Sequence, residues 1–180
     1  MKARRLTLLV FPLLVAGTLS GCSSNKSPDV TDNLRKSLDQ AGFKDVSVSE
    51  DRDKGVVTLT GNVPTETDKQ QAESLAKSNA PNLVVADQIS VRPPGNESEA
   101  KTVDSDLDKA IEKNLDATLV KHRLKKNVKY DVKNGVVTLT GDVPSQAKRE
   151  QVEKLAASVP NVKQVVNEIE VKGQKATSTS

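Results

Sequence analysis

Apolar residues recur at helical spacing in two separate stretches of the chain. Intervals of three and four residues place such side chains on one face of a helix. We therefore predict one helix from Asp29 to about Ala41 and another from Asp104 to about Leu115. The residues that form these apolar faces are Leu34, Leu38, Ala41, Leu107, Ile111 and Leu115.

Each predicted helix is followed by an alternation of apolar and polar residues, which is typical of half-buried strands. Val46 and Val48 alternate with polar residues in the first stretch, and residues 128–132 alternate in the second. The dipeptide Asn134-Gly135 then predicts a two-residue hairpin, because both residues tolerate a positive φ.

The second strand of each hairpin has two different faces. Val57, Leu59 and Gly61 share one face, and Val56, Thr58 and Thr60 share the other; Val57 and Leu59 recur as Val137 and Leu139. Successive side chains of a strand point to opposite faces of the sheet. We therefore expect the Val and Leu face to point at the helices, and the threonine-rich face to be half polar.

A second helix and a last strand complete each stretch. The helix begins after Pro64 or Pro144, with Thr65 and Ser145 as candidate N-caps. Thr65 with Asp68 three residues later also resembles a capping box. The order is α-β-β-α-β, and the predicted fold class is α+β, with helices on one face of a three-stranded sheet.

An internal repeat divides the chain. The sequence G-V-V-T-L-T-G-x-V-P occurs at residues 55–64 and again at residues 135–144. Two copies indicate two tandem domains, since a solenoid needs three or more repeats. The predicted parts are a signal peptide (1–21), a lipidated Cys with its tether (22–28), a first domain (29–92), a Pro/Gly linker (93–103), a second domain (104–172) and a disordered tail (173–180).

The N-terminus resembles a bacterial lipoprotein signal. Three basic residues precede an apolar run at residues 6–19, which is shorter than the ~20 residues that span a bilayer. The L-S-G-C tetrad ending at Cys22 resembles the lipobox, in which cleavage before the Cys accompanies lipidation of its sulfur. An ordinary secretory signal with a chance Cys is the alternative. Lipidation would explain a lone cysteine in a secreted protein, and two or more acyl chains anchor a protein stably.

The repeated phrase, the helix after it and the closing P-N-V and I-x-V segments resemble the BON domain. The resemblance covers about residues 29–92 and 104–172. It implies a non-catalytic envelope protein that binds phospholipid or other envelope components and supports envelope integrity under stress. It also leaves open a tethered periplasmic chaperone or scaffold for envelope proteins. Ser23 after Cys22, where the sorting scheme of enteric-type bacteria uses Asp for inner-membrane retention, favours the periplasmic face of the outer membrane.

Four glycines of the repeated phrase are predicted to be structural. Gly55 and Gly135 are expected to close the hairpins. Gly61 and Gly141 are expected where the sheet meets the second helix, at a point that a side chain would crowd.

Charge argues against nucleic acid as a partner. The formal net charge is +3, but residues 1–21 hold three basic residues and no acidic ones, so the remainder balances 24 bases with 24 acids. The two repeats divide this charge unequally, which favours docking between them. A basic segment in the second repeat is the candidate contact for anionic lipid headgroups, with a solvated loop as the alternative. Its residues are Lys121, His122, Arg123, Lys125, Lys126 and Lys129.

Residue types leave little room for catalysis. One His and one Cys are too few for a zinc site, and the Cys is the predicted lipid attachment point. Ser–His or Cys–His catalysis would require His122, which lies in a basic segment with no neighbouring acid apart from Asp116 and Asp131 and is predicted to be a solvated side chain. No phosphate-binding glycine loop precedes a helix. We predict no metal, no cofactor and no enzyme activity. Phe43 and Tyr130, the only aromatic residues after Cys22, are expected in the core, so insertion of an aromatic side chain into lipid is not expected.

Overall fold

The computed structural model describes residues 29–172, which form two units with the same order of elements. The first unit contains α1 (Thr31–Gln40), β1 (Val46–Asp51), β2 (Val56–Val63), α2 (Glu66–Asn79) and β3 (Val84–Val91). The second contains α3 (Glu97–Lys121), β4 (Val128–Lys133), β5 (Val136–Val143), α4 (Gln146–Ala157), β6 (Gln164–Asn167) and β7 (Glu170–Val171). The predicted α+β class and α-β-β-α-β order are confirmed.

The second strand of each unit lies at the centre of its sheet. β2 pairs with β1 antiparallel and with β3 parallel, and β5 pairs in the same way with β4 and β6. The last strand of the second unit is interrupted after Asn167, whose Oδ1 accepts a hydrogen bond of 3.2 Å from the Ile169 N–H. The short β7 then resumes parallel pairing with β5.

The predicted inner faces of β2 and β5 do point at the helices. Val57, Leu59, Val137 and Leu139 each have 0% of their surface exposed and belong to two separate cores, one for each unit. Burial of one such side chain contributes about 1.5–3 kcal/mol. The alternation of the strands therefore sets which face carries helices.

Two predictions about the cores are confirmed in part: the buried face of α1, and the placement of the two aromatic residues. Leu34 and Leu38 are buried, but Ala41 is exposed because α1 has already ended there. Phe43 lies in the first core, and Tyr130 is half-buried against the second.

The helix of the second unit is much longer than predicted. α3 begins at Glu97, so residues 97–103 of the predicted linker are helical and only residues 93–96 connect the units. Glu97 and Glu99 lie in the first turn, where acidic side chains favour helix formation, and no Gly or Pro interrupts the following residues. Leu107, predicted on the buried face, is 38% exposed. The face that packs inward consists of Ile111, Leu115 and Leu119.

Local signals in the hairpin and helix start behave as the sequence indicates. Asn134 and Gly135 have φ values of 52° and 82°, which match the two-residue turn. Thr65 Oγ1 accepts from the Asp68 N–H (3.1 Å), and Asp68 accepts from the Thr65 N–H (3.2 Å), so the capping box is complete.

The two units pack against each other through the sheet faces that carry no helices. An apolar cluster joins them, and all its members are buried. β3 is an outer strand of its sheet, yet nearly its whole length is buried on both faces because the second unit covers it. The cluster consists of Val56, Val84, Ala86, Val136 and Val166.

Two amide side chains of the second unit bond the backbone of β3 across this interface. Gln164 donates to the Val85 carbonyl (2.7 Å) and accepts from the Asp87 N–H (3.1 Å). Asn134 donates to the Gln88 carbonyl (2.6 Å). Gln164 thus satisfies two outward-facing backbone groups of β3 that an outer strand would otherwise leave unpaired. Asn134 adds a bond to a carbonyl on the side of β3 that faces β2, and the interface has polar specificity as well as apolar area.

Candidate functional site

The predicted basic segment lies where α3 ends and the chain turns into β4. Lys121 is the last residue of α3, and His122 follows as its C-cap. Arg123 then adopts a φ of 58°, which reverses the chain direction. The next residue, Leu124, donates its N–H to the Leu119 carbonyl (2.8 Å) and is buried. This turn closes α3 and holds the basic side chains on its outer side.

The first unit builds the same turn with a glycine. Gly42 has a φ of 91°, and Phe43 donates its N–H to the Leu38 carbonyl at 2.9 Å. A left-handed conformation suits glycine, but costs a side-chain-bearing residue about 1–2 kcal/mol. The second unit therefore carries backbone strain at Arg123 that the first unit avoids.

Four cations of the basic segment face solvent. Lys121, Arg123, Lys126 and Lys129 are exposed, and within residues 29–172 none of them has an ion-pair partner. His122 is half-buried. Lys121 and Arg123 also lie at the C-terminus of α3, where the helix dipole favours positive charge. The segment presents an open cationic surface.

Lys125 differs from the rest of the basic segment because it is engaged within the protein. Its ammonium bonds the Asp116 carboxylate and lies 4.7 Å from the centre of the Tyr130 ring. The Tyr130 hydroxyl donates to the same carboxylate at 2.5 Å. The bond to Lys125 lowers the pKa of Asp116, and the bond to Asp116 raises the pKa of Lys125. Lys125 therefore supports the loop, and its charge is compensated.

The corresponding turn of the first unit carries no excess of positive charge. Residues 41–46 contain one base, Lys44, and one acid, Asp45. Over the whole repeats, residues 29–95 hold 8 basic and 11 acidic residues, whereas residues 104–172 hold 13 and 11. Of the two repeats, only the second carries a net positive charge and a basic turn after its first helix.

Comparison with known proteins identifies the repeated unit. The family model described as "BON domain" matches residues 26–93 and 104–173. The chain belongs to the BON domain family. It is similar to osmotically-inducible protein Y of Escherichia coli (strain K12), with 31% identity over 137 residues, which cover 75% of this chain and 67% of that protein.

Two solved structures of CdsD, a structural protein of the type III secretion system of Chlamydia trachomatis, also match at low similarity. The C-terminal domain has 17% identity and a TM-score of 0.30, and the match covers 78% of this chain and 66% of that chain. The other structure has 15% identity and a TM-score of 0.35, and the match covers 78% of this chain and 90% of that chain.

The first BON domain contains a buried ion pair that the sequence patterns did not predict. Lys69 of α2 is 8% exposed and Asp87 of β3 is 7% exposed. Lys69 Nζ donates to the Ile89 carbonyl (2.8 Å) and lies 3.7 Å from Asp87 Oδ2. Burial raises the pKa of the Asp87 carboxyl, although the nearby Lys69 opposes this shift. The pair ties α2 to the edge strand at the domain interface.

The second BON domain also ties its second helix to its last strand through a buried basic residue, but with different residues. Arg149 of α4 is 3% exposed and donates to the carbonyls of Ile169 (3.0 Å) and Asn167 (2.7 Å). Asn167 takes the place of Asp87 without its charge. A signal existed in the sequence, because Lys69 and Arg149 are 80 residues apart, as are Asp87 and Asn167. The correspondence was missed because charged residues were assigned to the surface.

The predicted structural glycines lie in strained or crowded positions. Gly55 and Gly135 have φ values of 68° and 82° in the hairpin turns. Gly61 and Gly141 have φ values of 122° and 117°. A Cβ on Gly61 would overlap the Asp45 carbonyl oxygen, and one on Gly141 would overlap that of Asn127. The crowding comes from the chain entering the first strand, and not from the second helix as predicted.

The predicted lipid site at Cys22, the tether and the tail from residue 173 are not among the residues that the structure describes. No helix within residues 29–172 is both long and apolar enough to cross a bilayer. The same residues contain no cluster of three or more His, Cys, Asp or Glu side chains suited to a metal ion.

Proposed function

We propose that this tandem BON protein is a non-catalytic envelope lipoprotein, anchored through lipid on Cys22, whose second domain contacts anionic phospholipid through its basic segment. The observation that carries the contact is a set of four exposed cations that have no ion-pair partner within residues 29–172: Lys121, Arg123, Lys126 and Lys129. The predicted lipobox supports the anchor and Ser23 favours the outer membrane. The likeness to an osmotically inducible protein supports a role in envelope integrity under stress.

The geometry suits a headgroup surface better than an enclosed ligand. Each basic residue near an anionic membrane surface contributes about 1 kcal/mol, so four contribute about 4 kcal/mol. That is a weak affinity for a free protein, but it suffices to orient a chain that acyl groups already hold at the bilayer. The lipid anchor would keep the protein at the membrane, and the basic segment would determine which face of the second domain contacts the bilayer.

The contact is testable with a soluble form in which Cys22→Ser removes the lipid site. Both domains are retained because they share a buried interface. We expect co-sedimentation with vesicles of phosphatidylcholine containing phosphatidylglycerol, and loss of binding as salt rises. Lys121→Glu/Lys126→Glu removes two contributions, so binding should fall at least about thirtyfold.

A matched control reverses the same number of exposed charges elsewhere. Lys36→Glu/Lys44→Glu changes two exposed lysines of the first domain, and binding should then fall by no more than the general change in net charge requires. Equal losses in both variants, or no binding of the parent protein at low salt, would exclude the basic segment as a lipid contact.

We propose a tethered chaperone or scaffold as the second candidate function. β1 and β4 are outer strands that pair with no further strand within the described residues, although the Arg35 guanidinium donates to the Val48 carbonyl of β1 (3.4 Å). Such edges can accept a strand from a client protein. The helix-free sheet faces offer less, because they bury part of each other. Suppression of client aggregation that is equal in the parent protein and in Lys121→Glu/Lys126→Glu would favour this function over lipid contact.

A further inference from the structure

The exposed apolar surface of the described chain is concentrated on α3. Its three large, exposed apolar side chains all belong to this helix: Val103 (56%), Leu107 (38%) and Val120 (59%). Burial of α3 is confined to its second half, at Ile111, Leu115 and Leu119. The first half of the helix thus extends along the domain with an uncovered side.

A regular stripe runs along that uncovered side. Its members follow alternating intervals of three and four residues, which is the spacing of a two-helix seam. Val103, Leu107, Ala110, Asn114 and Ala117 are exposed, and Ala100 at the start is half-buried. The residues are small or medium-sized, so a second helix could approach closely. A lone Asn within such a seam is a common device for setting register.

The charges beside the stripe distinguish one occupant from others. Asp106 and Lys113 lie seven residues apart on the flank away from the domain, and both are exposed. Asp106 also forms an exposed ion pair with Lys109 of its own helix (3.2 Å), so Lys113 of a second copy would be an additional partner for this carboxylate. In an antiparallel pair of identical helices centred between Leu107 and Ala110, Asp106 of each copy approaches Lys113 of the other. A parallel pair does not bring them together. The acidic first turn of α3, with Glu97 and Glu99, would likewise approach the second copy's basic end.

We propose that two copies of this protein associate through the α3 stripe in antiparallel orientation. In this register Leu107 packs on the second copy's Ala110, and Val103 packs beside the second copy's Asn114. The stripe runs from residue 100 to residue 117, and of the basic segment only Lys121 belongs to α3. The stripe and the basic segment therefore share no residue, and Val103→Glu or Leu107→Glu tests the pairing without changing the proposed lipid contact. The two activities can fail separately.

Sedimentation equilibrium of the soluble Cys22→Ser form tests the pairing. We expect a concentration-dependent dimer, and at least tenfold weaker association for Val103→Glu and for Leu107→Glu. Ser105→Glu is the matched control, because Ser105 is exposed on the same helix but lies off the stripe and away from both helix ends; its association should match the parent protein. A parent protein that stays monomeric at several hundred micromolar, or an equal effect of Ser105→Glu, would overturn the proposal.

Charge exchange tests the orientation. Asp106→Lys alone and Lys113→Asp alone should each weaken association, and the double variant should restore it, because the pair is then reversed in both copies. Single-cysteine chains give a second readout: Val103→Cys should form disulfides with Asn114→Cys of another chain in preference to itself. Preferential Val103→Cys self-linkage, or no restoration in the double variant, would exclude the antiparallel pair.

A membrane contact of the stripe is the alternative that the same variants detect. If Val103→Glu abolished vesicle binding while the parent protein remained monomeric in solution and on vesicles, the stripe would be a lipid contact and the dimer would be wrong. Loss of dimerisation with unchanged vesicle binding supports the proposal, and leaves the lipid function of the basic segment intact.

Discussion

Replacing Gly61 by alanine should destabilise the first BON domain far more than the same replacement at Gly42. Both glycines have positive φ values, 122° and 91°, so each alanine carries a left-handed backbone penalty of about 1–2 kcal/mol. The surroundings differ. A Cβ on Gly42 meets nothing within 4 Å, whereas one on Gly61 overlaps the carbonyl oxygen of Asp45.

The overlap at Gly61 involves backbone, which has little freedom to yield. Gly61 pairs with Val46 at the start of β1, so relief of the overlap requires β1 to move away from β2. Opening that end of the ladder removes hydrogen bonds worth about 0.5–1.5 kcal/mol each and loosens a buried residue. We therefore expect Gly61→Ala to cost about 3–5 kcal/mol, against a total domain stability of about 5–15 kcal/mol.

Urea unfolding of the soluble Cys22→Ser form, followed by circular dichroism, measures both changes. Gly42→Ala should lower the free energy of unfolding by about 1–2 kcal/mol, and the difference between the two variants isolates the steric overlap. Gly141→Ala should reproduce the effect of Gly61→Ala in the second domain, since its Cβ would overlap the Asn127 carbonyl oxygen. Equal costs at Gly42 and Gly61 would refute the reasoning.

Three further changes test other parts of the structure. Burial raises the pKa of Asp87 above its ordinary value of 3.8, so between the two pKa values the folded protein binds a proton that the unfolded protein has lost. The free energy of unfolding should therefore fall as pH rises through the raised pKa. Asp87→Asn should remove this pH dependence in urea unfolding at a series of pH values, and an unchanged slope would contradict it. Arg123→Gly should raise stability by about 1 kcal/mol by relieving the φ of 58° and weaken anionic vesicle binding about fivefold; lower stability would count against the strain. Val166→Asp should place a charge in the buried interface and split a single unfolding transition into two, whereas one unchanged transition would mean that the domains are not coupled there.

Local sequence signals predicted much of the fold because each depends on neighbouring residues. Asn134-Gly135 specifies its turn through backbone freedom, and the alternation of Val57 and Leu59 specifies a strand face. The start of α3 was missed because it lacks such a local signal. Residues 97–103 carry few apolar side chains, so no periodicity marks a helix whose first turns pack little.

Features that depend on distant residues could not be predicted in this way. Lys69 and Arg149 lie in helices, and their charge alone would place them on the surface. Only the folded structure shows the carbonyls that accept their hydrogen bonds. Lys125 belongs to the basic segment in sequence, yet Asp116 compensates it in the structure. The interface between the domains depends on Val56 and Val136, on strand faces that read as half polar.

The mass of the N-terminal peptide of the mature protein, purified from bacterial membranes, tests the central claim most directly. We predict that the chain begins at Cys22 and that this residue carries a diacylglycerol on its sulfur and an acyl group on its amine. A mature chain that begins elsewhere, or a Cys22 without fatty acid, would contradict the account of a BON protein held at the membrane by lipid.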